Sequence, residues 1–174
     1  MKTLDFPELI QTFEYDCWAK AIQAVLAYYG IEIFEEHIIK RAKTNPKDWT
    51  TTQWILKIFK KYWLKYDSQE MEIDNLKKYI DKRIPIIILL QAWNDKITDY
   101  TNNYKDWHRV VVIWYDNNKI YFEDPYAFKR TFLTYQELNK RRHSKENWQK
   151  IFNHWIAIYG KPTTFDSKKI IHMK

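Results

Sequence analysis

This 174-residue chain has one cysteine, two glycines and no long apolar run. A single thiol cannot form an internal disulfide, so nothing indicates an oxidising compartment. The lack of about 18 consecutive apolar residues excludes a membrane-spanning helix, and the N-terminus lacks the apolar run of a secretory signal. We therefore expect a cytoplasmic protein, although a chain whose signal had been removed would look the same. The length fits a single domain over residues 1–174, with 162–174 as a loose tail.

Positive charge is in excess, with a formal net charge of +7. Such a charge is compatible with nucleic acid, an anionic surface or an acidic substrate as partner. The lysines are scattered along the chain, however, and none belongs to a recognisable nucleic-acid-binding module. We interpret them as solvated helix faces and expect no nucleic-acid partner.

Helical periodicity dominates the first half of the chain. Residues 17–29 carry apolar side chains at helical spacing, with Asp16 at the N-cap position and Gly30 at the C′ position. Shorter helices are predicted at 34–43, 52–62 and 74–79, and a loop is predicted around Pro46 and Asp48.

Short apolar runs dominate the second half. They predict buried strands at 86–90, 108–115, 119–123 and 154–159, with a polar loop over 95–106. The pair Asn117-Asn118 predicts a hairpin turn. A helix over 134–142 is predicted with Thr134 as cap and Glu137 at the capping-box position. Helices that precede strands predict an α+β fold rather than alternating βαβ units.

The single cysteine stands where a reactive thiol would. Cys17 falls in the first turn of the strongest predicted helix, where free N–H groups and the helix dipole stabilise a thiolate. A structural cysteine gains nothing from that position. Cys17 is therefore the candidate nucleophile.

A thiolate nucleophile needs an imidazole partner, and five histidines are available. His108 opens a buried strand directly after a polar loop, so its side chain is held rigidly yet can reach a substrate. His154 also opens a strand and is the competitor. His143 lies among arginine and lysine, which suggests a position on the surface. His37 lies on a predicted short helix, and His172 lies in the tail.

An imidazole base also needs an acceptor on its second ring nitrogen. Asp124 follows the strand that the Asn117-Asn118 turn pairs with the His108 strand, so the two side chains are expected at the same end of one hairpin. Pro125 fixes the chain just beyond. Donors for an oxyanion could come from the Cys17 N–H and from the amide of Gln11, six residues earlier.

Three segments resemble motifs of the bacteriocin-processing, double-glycine-leader peptidases, which belong to the papain-like cysteine peptidase superfamily. The segments are Gln11 to Cys17 with Leu26 to Gly30, His108 to Ile113, and Ile120 to Pro125. The strand that follows Pro85 and ends in Gln91-Ala92-Trp93 also looks like that family. The resemblance covers about residues 6–160.

By that resemblance the fold is papain-like, with the nucleophile helix packed on a C-terminal antiparallel sheet. The resemblance implies Cys17 as nucleophile, His108 as base, Asp124 as the orienting acid and Gln11 as the oxyanion-hole residue. It also implies a bacterial protein, a peptide or protein substrate, and no metal or organic cofactor.

Two alternatives to peptide hydrolysis remain open. The same thioester chemistry supports acyl transfer to an amine. A degenerate cleft could instead bind a peptide or an acidic partner without turnover.

Tryptophan occurs nine times, whereas the two glycines compare with about twelve expected from average usage. Trp93 is not unusual, because the family tolerates tryptophan there, and papain also has tryptophan directly after its nucleophile. The shortage of glycine together with the excess of tryptophan favours a gene from a lineage in which UGA encodes glycine. Translation of those UGA codons as tryptophan would give the composition seen here. Positions where the relatives usually have glycine are Trp18, Trp49, Trp54, Trp63, Trp107 and Trp114, with Trp155 as a seventh case.

Overall fold

The computed structural model describes residues 3–13, 15–42, 51–96, 99–146, 149–160 and 165–173. The helices in this part of the chain are α1 (Cys17–Tyr28), α2 (Glu35–Ala42), α3 (Thr52–Lys61), α4 (Ile73–Asp81) and α5 (Tyr135–Arg141). The strands are β1 (Lys65–Glu70), β2 (Ile86–Gln91), β3 (Trp107–Tyr115), β4 (Lys119–Glu123), β5 (Thr131–Thr134), β6 (His143–Glu146), β7 (Gln149–Phe152) and β8 (His154–Tyr159).

An antiparallel sheet of six strands in the order β1-β8-β2-β3-β4-β5 is the centre of the fold. Every residue of β2 is buried, as expected for a short apolar run in the middle of a sheet. Strands β6 and β7 form a separate hairpin that packs against β2. The α+β architecture predicted from the order of elements is confirmed.

Helix α1 packs against β3 and carries the predicted nucleophile at its first residue. It ends at Tyr28, and Gly30 at the C′ position has a φ of +75°, which lets its own N–H and that of Ile31 bond back to carbonyls of the last turn. Asp16 is the N-cap residue, as predicted, but its side chain makes no hydrogen bond to the first turn of the helix. Its carboxylate instead accepts the N–H of Phe13, outside the helix, at 3.0 Å.

The capping box predicted at α5 is confirmed. Thr134 Oγ1 accepts the N–H of Glu137 at 3.2 Å, and Glu137 Oε2 accepts the N–H of Thr134 at 2.8 Å.

Strand β1 lies between α3 and α4, so the helices do not all precede the strands. Strands β1, β5, β6 and β7 were not predicted, because they carry mostly polar or exposed side chains and therefore no apolar run.

The predicted loop at Pro46 and Asp48, and Trp49, lie outside the described residues. Within 165–173 of the predicted tail, Phe165 packs against the core, whereas Ile170, Ile171 and Met173 are exposed. No helix in the described ranges combines the length and apolar character needed to cross a membrane.

Candidate active site

Cys17 opens helix α1 and faces the start of β3. The side chain is only 4% exposed and lies close enough to His108 for the histidine to lower the pKa of the thiol. Because the first N–H groups of a helix have no partner inside the helix, a thiolate at this position lies in a favourable field. The structure therefore brings the predicted nucleophile and the predicted base into contact.

The β3–β4 hairpin places Asp124 beside His108. Val111 pairs with Glu123, which places Asp124 within two residues of His108 in register. His108 Nε2 lies 2.6 Å from Asp124 Oδ1, and both side chains are buried. The contact uses Nε2, so Nδ1 is the ring nitrogen left for the thiol.

Asp124 is fixed by several donors besides the histidine. Oδ1 also accepts the N–H of Tyr126 at 3.0 Å. Oδ2 accepts the indole N–H of Trp93 at 3.2 Å and the hydroxyl of Thr131 at 3.0 Å. Burial alone would raise the pKa of Asp124, but its hydrogen bond with His108, the charge of His108 and these further donors hold the pKa below its ordinary value.

Electrostatics favour an ion pair between the thiol and the imidazole. Burial alone would raise the pKa of the Cys17 thiol, but the hydrogen bond and charge of His108, aided by the backbone N–H and charge of Arg109, hold it below its ordinary value. Burial alone would lower the pKa of His108, yet its bonds to Asp124 and Cys17 raise it from 6.5 to about 9. The histidine consequently keeps its proton at neutral pH, and its charge favours the thiolate form of Cys17.

Gln11 lies beside the site but is not joined to it. Its side-chain amide donates to the carbonyl of Phe13 at 2.8 Å, and its backbone N–H donates to the carbonyl of Pro125 at 2.9 Å. Within the described ranges, Gln11 shares no hydrogen bond with Cys17, His108 or Asp124.

The other two strand histidines lie apart from Cys17. His143 is 6% exposed and its ring Nε2 lies 2.6 Å from the carbonyl of Asn103, so the surface position predicted for it is wrong. Its polar sequence neighbours were misleading because the β6–β7 hairpin packs on β2. His154 is half-buried and contacts the hydroxyl of Ser68 at 3.1 Å.

An aromatic pair covers the His108–Asp124 contact. The rings of Trp93 and Tyr126 lie 5.0 Å apart, and Tyr126 meets His108 edge-on at 6.2 Å. The sequence analysis assigned no role to Trp93, Tyr126 or Thr131. The one local signal was the position of Tyr126 two residues after an aspartate, where an aspartate side chain often accepts a backbone N–H.

No group of three or more histidine, cysteine, aspartate or glutamate side chains in the described ranges could hold a metal ion.

The fold is that of a papain-like peptidase domain. A double-glycine-motif protease from an AMS/PCAT transporter, solved with a leader peptide, is 19% identical with a TM-score of 0.64 and covers 90% of this chain and 93% of its own. The peptidase domain of Streptococcus ComA is 19% identical with a TM-score of 0.65, over 88% of this chain and 97% of its own. A C39-like peptidase from Bacillus anthracis is 15% identical with a TM-score of 0.67, and the alignment covers 92% of this chain and 98% of that peptidase.

A sequence profile of the Peptidase_C39-like family matches residues 3–156. The chain belongs to this family of cysteine peptidases. Comparison with curated protein sequences finds no significant match.

Proposed function

We propose that this protein is a bacterial cysteine peptidase that hydrolyses peptide bonds through Cys17, His108 and Asp124, within a single domain over residues 1–174. The observation that carries the proposal is the chain of contacts from the helix N-terminus through the thiol and imidazole to a carboxylate with four donors. Family membership supports the peptidase chemistry.

The reaction would begin with attack of the Cys17 thiolate on the scissile carbonyl carbon. The new C–S bond places negative charge on the carbonyl oxygen, which the Cys17 N–H stabilises. His108 gives its proton to the leaving amine as the C–N bond breaks, leaving a thioester. His108 then accepts a proton from water while the water oxygen attacks the thioester, and the thiolate departs.

Gln11 would be the second oxyanion donor. Its amide now bonds to the Phe13 carbonyl in the same loop, at 2.8 Å. Rotation of the Gln11 side chain away from Phe13 would free the N–H groups for the oxyanion. Substrate binding would supply that rotation, because catalytic hydrogen bonds often tighten only in the substrate complex.

A peptide or protein is the proposed substrate. The solved relative that holds a leader peptide supports this class of substrate, since it shares the fold over most of both chains. Acyl transfer to an amine instead of water uses the same thioester.

A non-catalytic peptide-binding module is the second proposal, and two observations favour it. Gln11 is bonded within its own loop and Cys17 is only 4% exposed, as expected for a cleft that has lost turnover.

The test is incubation with a peptide library, analysed by mass spectrometry for new termini. The peptidase proposal expects new carboxyl termini with the wild type and none with Cys17→Ala. Addition of a primary amine separates hydrolysis from transfer, because transfer yields amide products. Retention of intact peptides by both proteins would support the binding module and contradict the peptidase.

We also propose that the natural protein has glycine at several of the tryptophan positions. Trp63 supports this strongly, since it occupies the C′ position of α3 with a φ of +60° and is 85% exposed. The indole N–H groups of Trp18, Trp114 and Trp155 are buried without a hydrogen-bond partner among the described residues. UGG codons at Trp63, Trp107 and Trp114 would contradict the proposal, and the intact mass of protein from the native host is an independent check.

A further inference from the structure

Two carboxyl groups meet directly beneath the start of the nucleophile helix. Asp16, the residue before Cys17, is fully buried, and the side chain of Glu35 at the start of α2 is 11% exposed. The two carboxyls lie close enough that Glu35 contributes to raising the pKa of Asp16. Two carboxyls can share a hydrogen bond only when one of them carries a proton.

In the described ranges, one oxygen of each carboxyl has a hydrogen-bond donor and the other has none. Asp16 Oδ2 accepts the N–H of Phe13 at 3.0 Å. Glu35 Oε2 accepts the hydroxyl of Thr12 at 2.6 Å and lies 2.9 Å from Lys20 Nζ. Asp16 Oδ1 and Glu35 Oε1 are buried with no other donor among the described residues. A proton between these two oxygens satisfies both.

This pair supports the segment that carries Gln11. Phe13, whose N–H bonds to Asp16, also accepts the amide of Gln11 through its carbonyl, and Thr12 bonds to Glu35. The loop between Gln11 and the nucleophile is therefore tied to both carboxyls. Any separation of the carboxyls would displace the loop relative to the N-terminus of α1.

We propose that Asp16 and Glu35 share one proton, and that this acid pair is a positioning device which holds the Gln11 loop in register with Cys17 for peptide cleavage. The inference rests on the proposed peptidase function. It makes Asp16 and Glu35 positioning residues, since they act through Gln11 and Cys17 and not on substrate.

Loss of the shared proton would leave two carboxylates in contact. Burial, followed by the charge of Glu35, raises the pKa of Asp16 from 3.8 to about 6. Among the described residues, the charged groups that face Asp16 are Glu35 from α2 and Lys20 from α1, and the single lysine can balance only one negative charge. Above the pKa of the pair, repulsion would push the loop away from the nucleophile.

The test is the pH dependence of kcat/KM for peptide cleavage. In the wild type, kcat/KM should fall about tenfold per pH unit once pH rises past the pKa of the pair, because only the protonated form is aligned. Asp16→Asn and Glu35→Gln each supply a permanent N–H donor in place of the proton. Both variants should hold their activity until His108 loses its proton near pH 9.

Glu36→Gln is the matched control, because Glu36 is the next residue on α2 and its side chain is 79% exposed. Its profile should follow the wild type. The proposal is overturned if Asp16→Asn and Glu35→Gln keep the wild-type profile, or if each lowers activity equally at all pH values, as a purely structural role would.

Infrared difference spectroscopy separates failure of this inference from failure of the proposed function. The C=O stretch of protonated carboxyls should titrate in the wild type. The component from the acid pair should be lost in Asp16→Asn, whereas the separate component from the buried Glu123 should remain in both proteins. If the acid-pair component is present but no peptide is cleaved, the acid pair stands and the peptidase proposal fails. If peptides are cleaved and the component is unchanged in Asp16→Asn, the acid pair is wrong.

Discussion

His108 Nε2 lies 2.6 Å from Asp124 Oδ1, although 16 positions separate the two residues in the chain. The β3–β4 hairpin joins them, and the Trp93–Tyr126 aromatic pair covers the contact. A shielded ion pair of this kind holds the imidazole in one orientation, with its other nitrogen toward the thiol.

Asp124→Asn should lower kcat/KM for peptide cleavage by about 10²- to 10⁴-fold, because an amide neither stabilises the imidazolium nor fixes the ring. Steady-state kinetics on one peptide substrate measures the effect. Asp74→Asn is the control, since the side chain of Asp74 is 87% exposed on α4. An Asp124→Asn enzyme that kept more than half of its activity would remove Asp124 from the mechanism.

Cys17 should react with iodoacetamide as a thiolate well below the ordinary thiol pKa of about 8.5. The His108 contact lowers the pKa of Cys17 against the effect of burial. The thiolate therefore persists as pH falls and disappears only when pH drops through the lowered value. In His108→Ala only the smaller effect of Arg109 still opposes burial, so the pKa of the thiol should rise.

Alkylation rates measured across pH by mass spectrometry test whether His108 lowers the pKa of Cys17. No other thiol contributes to the signal, because the chain has one cysteine. Identical pH profiles for the wild type and His108→Ala would show that the histidine does not activate the thiol. Alkylation does not need an oxyanion hole, so its profile should not follow the Asp16–Glu35 pair.

Glu123→Gln should stabilise the folded protein at pH 8. Burial is the main cause that raises the pKa of Glu123 from 4.5 to about 7. The folded state consequently binds this proton more tightly than the unfolded state, and stability falls as pH rises from 4.5 through about 7. Glutamine carries no charge, so it removes the loss of stability at high pH. Its side-chain oxygen can still accept the Leu9 N–H, which bonds to Glu123 at 3.0 Å in the wild type.

Melting temperatures at pH 5 and pH 8 measure this effect. The gain of Glu123→Gln over the wild type should be larger at pH 8 than at pH 5, whereas Glu32→Gln, at an exposed position, should shift neither. A gain that is equal at both pH values would mean that the Glu123 charge is not responsible.

Trp63→Gly should raise the free energy of unfolding by about 1 kcal/mol. A side chain at positive φ costs on the order of 1–3 kcal/mol, and the larger entropy that glycine loses on folding cancels part of the gain. Little packing is lost, since Trp63 is 85% exposed. Chemical denaturation measures the difference. Arg83→Gly is the matched variant, because Arg83 follows α4 with a φ of +62°. Destabilisation by Trp63→Gly would contradict the strain argument.

The sequence was sufficient for features set by local chemistry. The Asn117-Asn118 turn sets the register of one hairpin, and a one-residue shift between Val112 and Trp114 then brings Asp124 nearer to His108. The contact between Asp16 and Glu35 was out of reach, because it depends on how α2 packs against α1. The burial of His143 was also out of reach, since it depends on where the β6–β7 hairpin packs.

Strand β8 lies between β1 and β2, although it is the last of these strands to be synthesised. On the ribosome, β1 has no neighbour in the sheet until residues 154–159 have emerged. The helix with the nucleophile and the hairpin with the base and acid are complete much earlier, so the catalytic groups can meet before the sheet is closed. Insertion of β8 between two waiting strands is then the last step of assembly, and an interrupted chain would expose the edge of β2.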